Sequence, residues 1–471
     1  MSESGNRPSQ WTRREFVHSA AVAGAGLLAT SGGFAQDADG KKPADTKPAG
    51  ATQPASSAPA ENAAEVAVAL IGAGSQGRNL LNNCLKIPGI RFIAVCDIWP
   101  YHQKYAANIL KKYDQPVNVY ADYRELLDKE KNLVAAIVAT PDWMHAEQSI
   151  ACLKAGRHVY CEKEMSNTLD GARQMVLAAR ETKKLLQIGH QRRSNPRYQH
   201  AIKLIENDKV LGRITTVNGQ WNRARLEEQG WPKGEELDAD ALKRFGYETM
   251  DRFRNWRWYR QYSGGAIADL GSHQIDVFNW ILKATPKSVL AAGGLDYYKK
   301  EGREWYDNVM AIFEYELTSG PVRAFYQVLN TSSYGGFWEA FMGDEGAIVV
   351  SEDSRVGQLY REVHAKKREW ENESEKIEAM GREAIELKIG ETLDPSGKRT
   401  AEGEKLMAEA KKPVHQLHLE NFFGAIRNGT PLSCPPEVGY GTAVSVLKVN
   451  DAVEAGKRIE YKPEEFFIKS A

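Results

Sequence analysis

Lys163, Asp269 and His273 are the residues whose types and settings best suit acid–base chemistry. Lys163 follows the short apolar run His158–Cys161, in Cys161-Glu162-Lys163-Glu164. A lysine at a strand end beside a ligand crevice can have its pKa lowered by desolvation, which suits a proton donor and acceptor or a clamp on a substrate hydroxyl. The plainer alternative is a surface pair with Glu162. Asp269, His273 and Asp276 stand at i, i+4 and i+7 after Gly264-Gly265, in a run that continues through Val277, Phe278, Trp280 and Ile281. On one helix they share a face. A carboxylate that fixes one imidazole tautomer makes histidine a base near pH 7. The same spacing also serves a buried structural His–Asp pair, or a metal held by one His and two carboxylates. Spacing leaves the three open, and no metal ligand set is assigned.

Such residues need elements to hold them. Val66–Ile71 is a continuous apolar run, the pattern of a parallel strand buried on both faces. Gly72-Ala73-Gly74-Ser75-Gln76-Gly77 follows, a strict G-x-G-x-x-G, then a helical pattern, then a second apolar strand ending at Asp97. Gly72 serves the tight turn, Gly74 the close approach of a pyrophosphate, and Gly77 helix–strand packing. The helix N-terminus offers amides to phosphate. Asp97 stands where a carboxylate accepts from adenosine ribose hydroxyls and repels a 2′-phosphate. Ile98-Trp99-Pro100 provides no Arg or Lys to welcome that phosphate, so NAD is favoured over NADP. Further strands at 133–139, 158–161 and 185–188 alternate with helices, which predicts a doubly wound parallel α/β sheet. Thr140-Pro141 and Glu162-Lys163 fall at strand ends facing the crevice of the glycine loop.

The chain has 471 residues, with 62 basic and 62 acidic side chains and five cysteines in no C-x-x-C pair. Balanced charge gives no footprint for nucleic acid, and the cysteines give no disulfide scaffold or zinc ribbon. Thr12-Arg13-Arg14-Glu15-Phe16-Val17, the apolar run Ser19–Ala29 and Gly33-Phe34-Ala35 have the three parts of a twin-arginine (Tat) signal. Residues 1–35 are expected to be that signal, cleaved after Ala35, with the Tat machinery as partner and a periplasmic or other exported destination. The apolar run is shorter than the roughly 20 residues of a membrane span. Residues 36–65, rich in Ala and Pro, are expected to be a disordered linker.

From Val66 nearly to the C-terminus the chain resembles the Gfo/Idh/MocA oxidoreductases, named for glucose–fructose oxidoreductase and inositol dehydrogenase. The resemblance rests on the glycine loop, Thr140-Pro141 with His145, Glu162-Lys163, Gly189 with Arg193 and Pro196, and the Gly-Gly…Asp269…His273…Asp276 segment. It extends to Phe341–Gly346 and a closing helix from Ala443 to Gly456. The resemblance implies Lys163, Asp269 and His273 as catalytic residues, with hydride passing between a sugar or polyol carbon and the nicotinamide. It implies cofactor contacts from Gly72, Ala73, Gly74, Ser75, Gln76 and Gly77, from Asp97 and Ile98, from Thr140, Pro141 and His145, and from Glu162, Lys163 and Gln191. The chain departs from the family pattern at Glu164, where proline is common, and at Gln191, where asparagine is frequent. A 66–190 nucleotide domain and a 191–471 α+β domain on an open antiparallel sheet are expected, in a homo-oligomer.

Arg254-Asn255-Trp256-Arg257-Trp258-Tyr259 precedes the Asp–His segment, and aromatic faces flanked by Arg suit a sugar ring as well as they suit core packing. Trp258, Arg223 and Asp276 are the expected substrate contacts. In 351–412, 28 of 62 residues are charged with both signs interleaved, which predicts a solvated helical insertion. Export implies that NAD travels bound and is recycled in place. A second sugar can reoxidise it, or oxidation, elimination, water addition and reduction can cleave a glycoside with no net redox change. A silent binding protein on the same fold is the third reading.

Overall fold

The computed structural model describes residues 65–372, 374–388 and 401–468. The export signal and all but the last residue of the linker read from the sequence lie outside the described residues.

Six strands build the first sheet: β1 (Val66–Ile71), β2 (Ile90–Cys96), β3 (Asn118–Tyr120), β4 (Ala135–Val138), β5 (His158–Cys161) and β6 (Leu186–Ile188). All pair in parallel, in the order β3-β2-β1-β4-β5-β6. Helices on both faces explain why β4 is buried at every position and why its sequence, Ala-Ala-Ile-Val, has no polar alternation. Strand order reverses between β1 and β4, which opens the crevice where the glycine loop lies. Helix starts are marked by caps: Asp122 accepts from the Arg124 amide, and Thr168 from the Gly171 amide at 3.2 Å.

The second sheet contains β7 (Ile214–Asn222), β8 (Ser288–Gly294), β9 (Asn308–Leu317), β10 (Gly320–Leu329), β11 (Phe337–Gly343), β12 (Gly346–Val350), β13 (Gly357–Arg361), β14 (Lys376–Ala379), β15 (Arg382–Glu386) and β16 (Ile459–Glu460). Its order is β14-β15-β13-β12-β11-β7-β10-β9-β8-β16, antiparallel except for the β7–β10 pair. Along β9, Val309, Ala311, Phe313 and Tyr315 are buried, where Tyr315 meets Asn279 of the helix Ser272–Leu282. The intervening residues face outward. Leu290, Ile312 and Phe325 stand opposite one another on β8, β9 and β10 as an exposed apolar row.

Two expectations change. The charged stretch is not all helical: β13, β14 and β15 lengthen the sheet, and within 351–412 only Ala401–Ala410 is α-helix among the described residues. Lys376-Ile-Glu-Ala379 alternates with period 2 and pairs with Arg382–Glu386 around Met380-Gly381, both at positive φ as a two-residue hairpin turn requires. Lys376 pairs with Glu383 across the hairpin at 3.0 Å. The second change concerns 191–471, which is not one separate unit. Leu419, Phe422 and Phe423 of the helix Val414–Asn428 complete the core formed by β1 and the helix Ser75–Cys84. All five cysteines of the chain are buried and unpaired.

Candidate functional site

The glycine loop has the geometry that its spacing implies. Gly72 has φ +90°, and a Cβ there would lie 2.6 Å from the Ala139 carbonyl. A Cβ on Gly77 would lie 1.9 Å from the Gly72 carbonyl, so only glycine lets the helix approach the strand. At Gly74 the nearest atom to a Cβ is His102 Cε1 at 3.8 Å, leaving room beside the backbone. No side chain caps the helix that starts at Ser75, so its first amides are available to an anion. A pyrophosphate fits this cradle.

Asp97 ends β2 beneath the loop. Its Oδ2 accepts from the Ala73 amide at 2.7 Å and its Oδ1 from the Trp99 amide at 2.9 Å. Burial opposes ionisation, but His102 at 3.4 Å and the two amides outweigh it and hold the carboxyl below its ordinary range. Ile98 packs against the aromatic cluster of Trp99, Tyr247 and Phe253. Ser75 is exposed, and Gln76 donates to Glu162 Oε1 at 3.0 Å, tying the loop to the end of β5. Thr140 donates to Gln148, and Pro141 is the N-cap of the helix Asp142–Lys154.

Two expected cofactor contacts are engaged elsewhere. His145 is buried with Nδ1 2.6 Å from the Glu164 carbonyl and Nε2 2.7 Å from the Thr140 carbonyl, leaving neither nitrogen for a ligand. Burial lowers its pKa to about 4, and the neutral ring, with one N–H, donates to only one of these two carbonyls. Gln191, 4% exposed, turns its amide to Glu352 at 3.1 Å. The side chain that is longer than the family's asparagine reaches the second sheet's loop.

Lys163 and Asp269 come together, while His273 stands apart from the carboxylate. The Lys163–Glu164 peptide is cis. Lys163 Nζ donates to the Asp269 carbonyl and lies 3.5 Å from Asp269 Oδ1. Arg257 Nε approaches Asp269 Oδ2 at 3.3 Å, and Arg223 Nη2 approaches the same oxygen at 3.7 Å. Burial alone would raise the Asp269 pKa, but Arg257, Lys163 and Arg223 hold it far below the usual carboxylate range. A π-turn over Ile267–Gly271 precedes the helix, so Asp269 does not sit in the α-helical register that i, i+4 pairing needs. His273 makes no hydrogen bond to Asp269; its Nδ1 is buried without a partner, and its ring lies 5.3 Å from Trp221. Burial, then the charges of Lys163 and Arg192, push its pKa well below the ordinary value, which keeps the imidazole neutral. The expected carboxylate–imidazole dyad is therefore replaced by a carboxylate–cation cluster with a neutral histidine nearby.

Asp276 is not a substrate contact. It is 1% exposed, held by Arg193 Nε and Nη2 at 2.8 Å each and by Thr442 Oγ1 at 2.9 Å. Arg223 and Trp258 do line a pocket, together with Arg257, Asp269, Tyr298 and Arg303. Arg303 lies between the Trp258 and Tyr298 rings, 3.7 and 3.5 Å from their centroids. Sequence reasoning passed over Arg257 although it adjoins Trp258, and nothing in the local sequence marks Arg303. It also missed two buried acids beside Lys163. Asp142 is raised to about 7 by burial and by Asp269, and Glu164 to about 8 by burial. Among the described residues no group of three or more His, Cys, Asp or Glu is placed to hold a metal, and no helix is long and apolar enough to cross a membrane.

Comparison with known proteins agrees with this geometry. Residues 66–190 match an oxidoreductase family with an NAD-binding Rossmann fold, and residues 198–349 match the GFO/IDH/MocA C-terminal domain. The chain is 29% identical over 226 residues to a 1,5-anhydro-D-fructose reductase of Ensifer adhaerens, covering 48% of this chain and 59% of that one. It is 27% identical over 219 residues to an inositol 2-dehydrogenase/D-chiro-inositol 3-dehydrogenase of Shouchella clausii, covering 46% and 53%. The matched regions thus span little more than half the length of these curated relatives. In fold it is similar to the WlbA dehydrogenase of Bordetella pertussis in complex with NADH and UDP-GlcNAcA. That likeness has TM-score 0.62 at 18% identity, over 85% of this chain and 98% of the other.

Proposed function

Because the chain belongs to the Gfo/Idh/MocA family of NAD-binding oxidoreductases, we propose that it oxidises a CH–OH group of a sugar, glycoside or polyol with a tightly held cofactor. The observation that carries this reading is the contact of Lys163 with Asp269 at the edge of the Arg- and Trp-lined pocket. Bound NAD supplies the hydride acceptor. The glycine loop, the uncapped helix N-terminus and Asp97 hold its phosphates and ribose, and the anionic Asp97 favours NAD over NADP.

Asp269 positions the Lys163 ammonium, which donates to the substrate hydroxyl oxygen and stabilises the negative charge that develops there as the O–H proton leaves. His273, neutral at physiological pH, takes the hydroxyl proton. Trp258 and Arg223 offer an apolar face and donors to the ring. The twin-arginine pattern supports export of this enzyme in folded form. The exposed row Leu290, Ile312 and Phe325 supports pairing with a second copy.

Acid precipitation of purified protein should release NAD. Incubating the holoenzyme with sugars should then give reduced cofactor at 340 nm. Protein that carries and binds no nucleotide would sink the reading. Nitrophenol released from nitrophenyl glycosides without net reduction would mark redox-neutral cleavage instead.

A further inference from the structure

Three cations surround one carboxylate in the substrate pocket. Lys163, Arg257 and Arg223 lie 3.5, 3.3 and 3.7 Å from the oxygens of Asp269. The other acids nearby are committed or only partly ionised. Asp307 Oδ2 accepts from the amides of Asp296, Tyr297 and Tyr298, and its Oδ1 from the Asn308 side chain. Glu301 neutralises Arg303 at 2.9 Å. Asp142, buried behind Lys163, has a pKa raised to about 7 and so carries part of a charge at neutral pH.

Counting Lys163, Arg223, Arg257 and Arg303 against Asp269, Asp307, Glu301 and a part-charged Asp142, the pocket holds a small positive excess before substrate enters. Arg223 is largely buried, and burial together with Arg257 and Arg303 lowers its pKa, the mark of guanidinium groups that repel one another. Arg303 Nε is buried with no partner. Cations that share one carboxylate are costly to desolvate, and covering them with a neutral ring would remove water and leave the excess in place. A ligand anion discharges it.

We infer that the substrate is a sugar bearing an anionic substituent, a carboxylate or a phosphate ester, received by the Arg223 and Arg257 guanidinium groups. This deepens the oxidoreductase reading and rests on it for the identity of the pocket. Planar guanidinium forks pair with either anion through two parallel hydrogen bonds.

The test compares matched probes on the NAD-loaded enzyme: glucose, galactose, glucuronate, galacturonate, the neutral methyl ester of glucuronate, and glucose 1- and 6-phosphates. An acidic member should exceed its neutral parent at least 100-fold in kcat/KM by absorbance at 340 nm. The uronate and phosphate arms identify which anion is used. Arg223→Gln and Arg257→Gln should each reduce kcat/KM for the acidic sugar at least tenfold more than for its parent. Arg257, 41% exposed at its side chain, carries this arm if the Arg223 variant fails to fold. Equilibrium binding by tryptophan fluorescence, read with the same pairs, separates the two claims. Acid-selective binding without cofactor reduction would overturn the oxidoreductase reading and keep this one. Equal binding and turnover of neutral and acidic partners would overturn this inference and leave the oxidoreductase reading standing.

Discussion

Lys163 and Asp269, 106 residues apart in the chain, are joined twice: the ammonium donates to the Asp269 carbonyl and lies 3.5 Å from its carboxylate Oδ1. The two contacts together fix where the ammonium stands. Lys163→Met is expected to lower kcat by about 10²–10³-fold, the range for losing a preorganised donor to a developing charge. Asp269→Asn retains the backbone acceptor and should lose less, about 10–100-fold. Steady-state rates on a responsive sugar check both, with NAD release as the control for a loaded site. Equal losses in the two variants would refute the ordering.

His273 is neutral because burial and the Lys163 charge depress its pKa. His273→Ala should reduce kcat/KM about 10²–10⁴-fold with bound NAD retained. No acid limb from His273 protonation is expected between pH 6 and 8, because the imidazole is already uncharged there. Unchanged turnover in the alanine variant would remove His273 from the mechanism.

Asp97 serves both the loop and cofactor choice. Asp97→Asn weakens the acceptor for the Ala73 amide and removes the charge that repels a 2′-phosphate. Purified variant should carry less NAD than the parent, and the ratio of Kd values should move at least tenfold towards NADP. Titration of stripped protein with both nucleotides measures this; an unmoved ratio would show that discrimination lies elsewhere.

Glu164 stands where the family often has proline, fully buried, with Oε1 accepting from the Met165 amide at 2.6 Å and Oε2 unpartnered. Burial raises its pKa from 4.5 to about 8, so the folded state retains a proton that the unfolded chain loses above about pH 4.5. Stability from this group is therefore full below about pH 4.5, falls as pH rises, and levels off above about pH 8. Glu164→Gln should be near neutral at pH 4.5 and stabilising by roughly 2–3 kcal/mol at pH 7. Urea denaturation at the two pH values tests this, and the same effect at both would contradict a protonated buried acid.

The Rossmann half was legible because its signals are local. A buried parallel strand reads as an apolar run, and Gly72 and Gly77 have conformations or contacts that only glycine meets. Lys163 could be placed at a strand end for the same reason. The Asp269–His273 dyad, one of three readings that the spacing left open, does not form because a π-turn shifts the helical register without leaving a clear sequence mark. Asp276 was misread because Arg193 and Thr442, its partners, come from distant parts of the chain. In 351–412 charge density suggested helix, whereas Met380-Gly381 after the alternating run Lys376–Ala379 was the stronger hairpin signal. Arg303 reaches the pocket only through tertiary packing on Trp258 and Tyr298.

The five buried cysteines bear on where such a chain can work. Burial raises the pKa of every one of them, to about 12 for Cys152 and further for others, so essentially no thiolate exists at neutral pH. Disulfide exchange and peroxide attack both proceed through the thiolate. Once folded, the chain keeps its five thiols out of exchange, and passage from a reducing to an oxidising compartment leaves these cysteines as they were.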